Sequence, residues 1–157
     1  MKKVILGALL LLSTLSFGQE IVVKTLTFSL PNGYGLSNDF KFEITNETLD
    51  ALKLTDCYKQ YELKSHCDVE EWLKTLTIIA NDELKNNCKN PTSYSIIPGS
   101  TGTFLLYDWD ETLDRKGPKD GLAIRLYTQA QNGYGNNIPG TNGYIFNLIS
   151  CEKRILF

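Results

Sequence analysis

Residues 105 to 117, LLYDWDETLDRKG, run from an apolar stretch into four carboxylates, Asp108, Asp110, Glu111 and Asp114. Clustered carboxylates can attack as nucleophiles, relay protons, or offer their oxygens to a hard cation. Asp108, Asp110, Thr112 and Asp114 supply the alternating oxygens of a calcium loop. An EF-hand would need Gly where Leu113 stands and a bidentate Glu where Lys119 stands, so only a looser calcium site fits. Arg115, Lys116 and Lys119 supply local counter-charge that competes with a cation. Elsewhere the means for catalysis are sparse. The chain has one histidine, His66, and no G-x-S-x-G nucleophile elbow; GSTGT at 99 to 103 reads as a turn. A carboxylate pair for glycoside hydrolysis could be drawn from Glu70, Glu71, Asp108 or Asp110 only if folding brought them to the required separation.

At YDWDETL the residues resemble the first motif of haloacid dehalogenase-like phosphatases, an apolar strand ending in Asp-x-Asp-x-Thr. The resemblance implies a phosphate-accepting nucleophile at Asp108, a general acid/base at Asp110 and the matching threonine at Thr112. It covers about ten residues. Those enzymes place the motif on an early strand of a parallel α/β fold, whereas only 43 residues follow Asp114 here, and they read as strands. The reading favoured for residues 110 to 120 is therefore a polar connection between two antiparallel strands, turned by Gly117 and Pro118.

The N-terminus, MKKVILGALLLLSTLSFGQE, has the two lysines, apolar run and small-residue ending of a secretory signal peptide. We expect residues 1 to 19 to be cleaved and residues 20 to 157 to form one domain. The 14 residues from Val4 to Phe17 fall short of the roughly 20 that span a bilayer, so no membrane span is expected after cleavage. Loss of Lys2 and Lys3 leaves 14 basic against 18 acidic residues, a net charge of −4. That balance gives no support to a nucleic-acid partner. Nothing in the composition calls for a cofactor.

Four cysteines, Cys57, Cys67, Cys88 and Cys151, in an exported chain imply two disulfides. Their spacings of 10, 21 and 63 residues include no C-x-x-C pair, which argues against zinc and against redox catalysis. A helix over residues 68 to 87 would hold Cys67 and Cys88 on the order of 30 Å apart, which excludes that pair. An antiparallel helical hairpin favours Cys57 with Cys67 and Cys88 with Cys151. The alternative is Cys57 with Cys88 and Cys67 with Cys151, should the first helix run well past Cys57.

The elements that must position these residues follow from periodicity. Strands are predicted over 21 to 30 and 39 to 45, joined by an Asn32-Gly33 turn. Helical spacing of Ala51, Leu54, Tyr58 and Tyr61 predicts a helix over 47 to 62. Residues 68 to 87 predict a second, with Asp68 as N-cap and Glu71 placed to return the bond. Strands follow at 93 to 97, 103 to 109, 121 to 129 and 143 to 157, the last broken near Cys151. The order ββααβββ(β) implies an α+β fold: an antiparallel sheet of five or six strands with two helices on one face.

The remaining signal is aromatic. Tyr34 and Tyr134 each sit in an NGYG tetrapeptide, Tyr144 follows TNG, and Trp109 borders the acids. Tyr and Trp on Gly/Asn-rich loops combine contact area with a polar handle, and QNGYGNNIPGTNG, residues 131 to 143, reads as a long loop suited to contact. The sequence thus favours a secreted or periplasmic binding module over an enzyme. Its expected partner is a protein, as for an inhibitor or immunity protein, or a cell-surface glycan. The opposing reading is a small hydrolase or calcium-binding domain built on residues 108 to 114.

Overall fold

The computed structural model describes residues 22–31, 37–107, 109 and 120–156. Its order is β1 (Val23–Pro31), β2 (Ser37–Thr45), α1 (Asn46–Lys53), α2 (Asp56–Ser65), α3 (Val69–Asn86), a 3-10 turn (Pro91–Ser93), then β3 (Ser95–Ile96), β4 (Thr101–Tyr107), β5 (Gly121–Gln131), β6 (Asn137–Asn147) and β7 (Lys153–Leu156).

The α+β class holds, with three changes to the expected architecture. The sheet, ordered β1-β2-β4-β5-β6-β7, is mixed and not purely antiparallel, because β2 and β4 run parallel with Phe42 beside Gly102. A parallel pair needs a crossover, and the helices between β2 and β4 supply it. The short β3 lies along β5 beyond the end of β4, with Ser95 opposite Gln129 and Ile96 opposite Thr128.

The single helix expected over 47 to 62 is two helices. Thr45 caps α1 by accepting from the Thr48 N–H at 3.1 Å. Thr55 ends α1 and starts α2: its hydroxyl donates to the Leu52 carbonyl at 2.7 Å and accepts from the Tyr58 N–H at 3.3 Å. A threonine side chain that satisfies orphan groups on both sides competes well with helix continuation. Asp68 caps α3 as expected, accepting from the N–H groups of Glu70 and Glu71 at 3.0 and 2.9 Å. The Glu71 carboxylate reaches Lys74 instead of returning the bond.

One face of the sheet meets the helices. Leu26, Phe28 and Leu30 from β1, Phe40, Phe42 and Ile44 from β2, Phe104 from β4, and Leu122, Ile124 and Leu126 from β5 are buried there. Leu49 and Leu52 of α1 and Val69, Trp72, Leu73, Leu76, Ala80 and Leu84 of α3 join this core, as do Tyr144 and Phe146 of β6. The Phe42 ring lies against the β4 backbone: a Cβ at Gly102 would sit 2.4 Å from it and 2.9 Å from the Arg125 carbonyl. α2 buries only Tyr58, which joins Tyr61 on Trp72 with ring centroids 5.5 and 6.4 Å from the indole. On the other face Thr25, Thr27, Ser29, Lys41, Glu43 and Arg125 are exposed, as water contact requires.

The disulfides are the third change. Among the described residues one bridge forms, Cys57 with Cys151, and Cys67 and Cys88 are free. Cys57 lies in the first turn of α2 and Cys67 beyond its end, a separation of about 15 Å that no disulfide spans. Cys88, past the end of α3, directs its thiol to the Leu84 carbonyl instead of to Cys151. Cys57 meets Cys151 because its N–H donates to the Leu148 carbonyl at 3.2 Å, tying α2 to the turn after β6.

Candidate functional site

The stretch 131 to 143, expected as a long loop, is a tight hairpin. Gln131 pairs with Asn137, and antiparallel register continues to Gly121 opposite Asn147. Only residues 132 to 136, NGYGN, turn the chain. The Gly135 N–H donates to the Asn132 carbonyl at 3.0 Å, and the Asn132 N–H donates to the Asn136 carbonyl at 2.9 Å. Gly135 sits at φ +82°, the left-handed position that follows a type I turn in three-residue hairpin loops. The Asn132 side chain completes the arrangement: its Oδ1 accepts from the N–H groups of Tyr134 and Asn136 at 2.9 and 3.0 Å.

That geometry lifts Tyr134 clear of the body, and it is 92% exposed. Ile138, on the outgoing strand, is also exposed. The stem below is bolted to the segment around the 3-10 turn. The Gln131 N–H donates to Ser93 Oγ at 2.8 Å, the Asn90 amide donates to Gln131 Oε1 at 3.3 Å, and the Gln129 amide donates to Ser95 Oγ at 3.2 Å. Across the pair the Asn142 amide donates to Thr128 Oγ1 at 2.5 Å. No residue from 131 to 143 carries a formal charge, so the tip offers shape and hydrogen bonds and no electrostatic field of its own.

Of the described aromatic candidates, Tyr144 and Trp109 do not join it. Tyr144 belongs to β6 and faces the helices opposite Ile124, 2% exposed, with its ring 5.0 Å from Phe146. Its place on a contact loop is therefore corrected: strand alternation turns it inward. Trp109 lies just past β4, half-buried, with its backbone N–H donating to the Asp120 carboxylate at 2.9 Å. Tyr107 pairs with Gly121, the first residue of β5, so Trp109 and Tyr134 sit at opposite ends of that strand, roughly 33 Å apart along it. Tyr34 lies outside the described residues. The strand ends that flank it, Pro31 and Ser37, are at the same end of the sheet as the β5–β6 turn, since β2 runs with β4 and against β5.

The acids Asp108, Asp110, Glu111 and Asp114 lie outside the described residues. Among those described, no three His, Cys, Asp or Glu side chains come together to hold a metal ion. Glu70 pairs with Lys24 and Glu71 with Lys74, so both acids of the first turn of α3 are held in surface ion pairs. His66 is exposed at the α2–α3 corner, where its left-handed backbone (φ 54°) ends α2. No helix among the described residues is long and apolar enough to cross a membrane.

Asn132, Ser93 and Asn90 were not anticipated as the groups that shape and anchor the tip. The signal was present in part, since Gly three residues after a turn-forming Asn matches a left-handed closing position. The anchoring by Ser93 and Asn90 carries no local signature. No protein-family model, curated protein or solved structure matches the chain.

Proposed function

We propose that this chain is a secreted or periplasmic binding module that docks on a partner protein through the β5–β6 tip, as an inhibitor or immunity protein would. The observation that supports the reading is Tyr134, 92% exposed on a turn held in shape by its own backbone and by Asn132. A tyrosine has few rotatable bonds and a large amphipathic face, so ordering it costs little and burying it in a partner gains both area and a hydrogen bond. One projecting ring suits a pocket on a protein, whereas a glycan site calls for a concave wall with several converging polar groups. The uncharged tip implies contact that is insensitive to salt.

The test is capture from cell envelope and growth medium by the immobilised mature chain, with Tyr134→Ala alongside. Tyr134 is almost wholly in water, so the variant should melt within about 0.5 kcal/mol of the parent while capture falls about tenfold or more. Protease treatment of the extract should abolish capture and periodate should not. Undiminished capture by the variant would sink the reading. Capture that survives protease and fails after periodate would replace the protein partner with a glycan.

A further inference from the structure

The tripeptide Asn-Gly-Tyr occurs at 32 to 34, outside the described residues, at 132 to 134 and at 142 to 144, and the last two have quite different surroundings. An asparagine before glycine can react with its own chain, because the unhindered glycine nitrogen is able to reach the side-chain carbonyl carbon. We propose that Asn132 is a site of spontaneous deamidation, a slow covalent change built into the hairpin that presents Tyr134.

In that reaction the Gly133 nitrogen gives its proton to solvent base and bonds to Asn132 Cγ, placing negative charge on Oδ1. The Cγ–Nδ2 bond then breaks, ammonia leaves with a proton from solvent, and a succinimide remains. Water opens the ring at either carbonyl to give aspartate or isoaspartate, so no oxidant or reductant is needed.

Three observations favour Asn132. Two backbone N–H groups, those of Tyr134 and Asn136, already donate to the oxygen on which charge develops, at 2.9 and 3.0 Å. Donors aimed there stabilise an oxyanion more than the neutral amide. The same bonds curl the side chain toward the following residues, where the attacking nitrogen lies. Gly133 is exposed, with nothing within 4 Å of where a Cβ would be, so no side chain of its own and no packed neighbour at that position shields the attacking nitrogen. Asn142 has the opposite situation. It lies within β6 opposite Leu126, its amide donates to Thr128, and Gly143 is paired on both sides, to Arg125 and to Leu156.

The products differ in consequence. Aspartate keeps an acceptor for the Tyr134 and Asn136 N–H groups and adds charge to a neutral tip. Isoaspartate routes the backbone through Cβ and lengthens the turn that Gly135 closes. Either outcome alters how Tyr134 is offered. The modification is read by mass whether or not Tyr134 contacts a partner, so its test stands apart from the binding proposal.

The experiment incubates the full chain at mildly alkaline pH in heavy-oxygen water and maps label at positions 132 and 142 of the same molecules, folded and in urea. In the folded protein, label at 132 should exceed that at 142 by at least about tenfold, and urea should remove the difference because the two tripeptides are identical. Gly133→Ala is a second arm. Gly133 has no left-handed φ and open space around it, so alanine fits the turn while its methyl group hinders the attacking nitrogen. This variant should lose most of the label at 132. Equal label at the two sites in the folded chain, a preference that persists in urea, or full label in Gly133→Ala would each overturn the proposal.

Discussion

Two tyrosines that follow the same Asn-Gly pair have opposite fates, and each has a testable consequence. Tyr134 at 92% exposure can act outward, whereas Tyr144 at 2% cannot. Burial, reinforced by the Glu83 carboxylate, pushes the Tyr144 hydroxyl up to about 12, against about 10 for an unfolded tyrosine. The folded state therefore holds this proton more tightly than the unfolded state does. The stability it contributes is fully present below about pH 10 and is lost as pH rises from about 10 to about 12. Tyr144→Phe keeps the ring against Phe146 and should flatten that limb of the stability curve by on the order of 1–3 kcal/mol. Part of the limb should remain, because burial also raises Tyr94, whose hydroxyl donates to Asn81. Alkaline unfolding followed by circular dichroism checks this; identical curves above pH 10 would count against it.

Among the elements, α3 and the strands facing it were legible because their apolar residues recur at the period of the structure they form. Two elements depart from their hydrophobic pattern for local reasons. The apolar pattern through Leu54 suggested one continuous helix, yet Leu54 is 73% exposed and Thr55 caps in both directions. A threonine at a possible boundary carried the signal that hydrophobic spacing masked. The run 137 to 142, NIPGTN, suggests a loop because it lacks alternating apolar residues, but antiparallel pairing to β5 holds it as a strand. Gly102 shows how closely these elements meet. Gly102→Ala drives a methyl group into the Phe42 ring and the Arg125 carbonyl, and should cost about 1–3 kcal/mol by overpacking. Urea unfolding measures it, and a variant as stable as the parent would show that the β2–β4 contact is looser than described.

For the whole molecule, the bridge from Cys57 to Cys151 spans 94 residues and ties α2 of the helical layer to the turn between β6 and β7. In the chain-entropy account such a loop is worth about 4–5 kcal/mol, often less when measured. Cys57→Ser should lower stability toward that extent. In the parent, thiol labelling should mark Cys67 and Cys88 alone, Cys88 more slowly because burial pushes its thiol up. A peptide map joining Cys67 or Cys88 to another cysteine would refute this connectivity. The sequence alone carries the α+β class, the turn chemistry of NGYG and most helix and strand positions, since these depend on residues a few places apart. It also excluded Cys67 with Cys88, because a helix has a known length. That β2 lies parallel to β4, that Cys57 meets Cys151, and that Tyr134 reaches water while Tyr144 does not are settled by the fold alone. Those outcomes rest on contacts between residues distant in the chain, and such contacts leave no trace in local spacing.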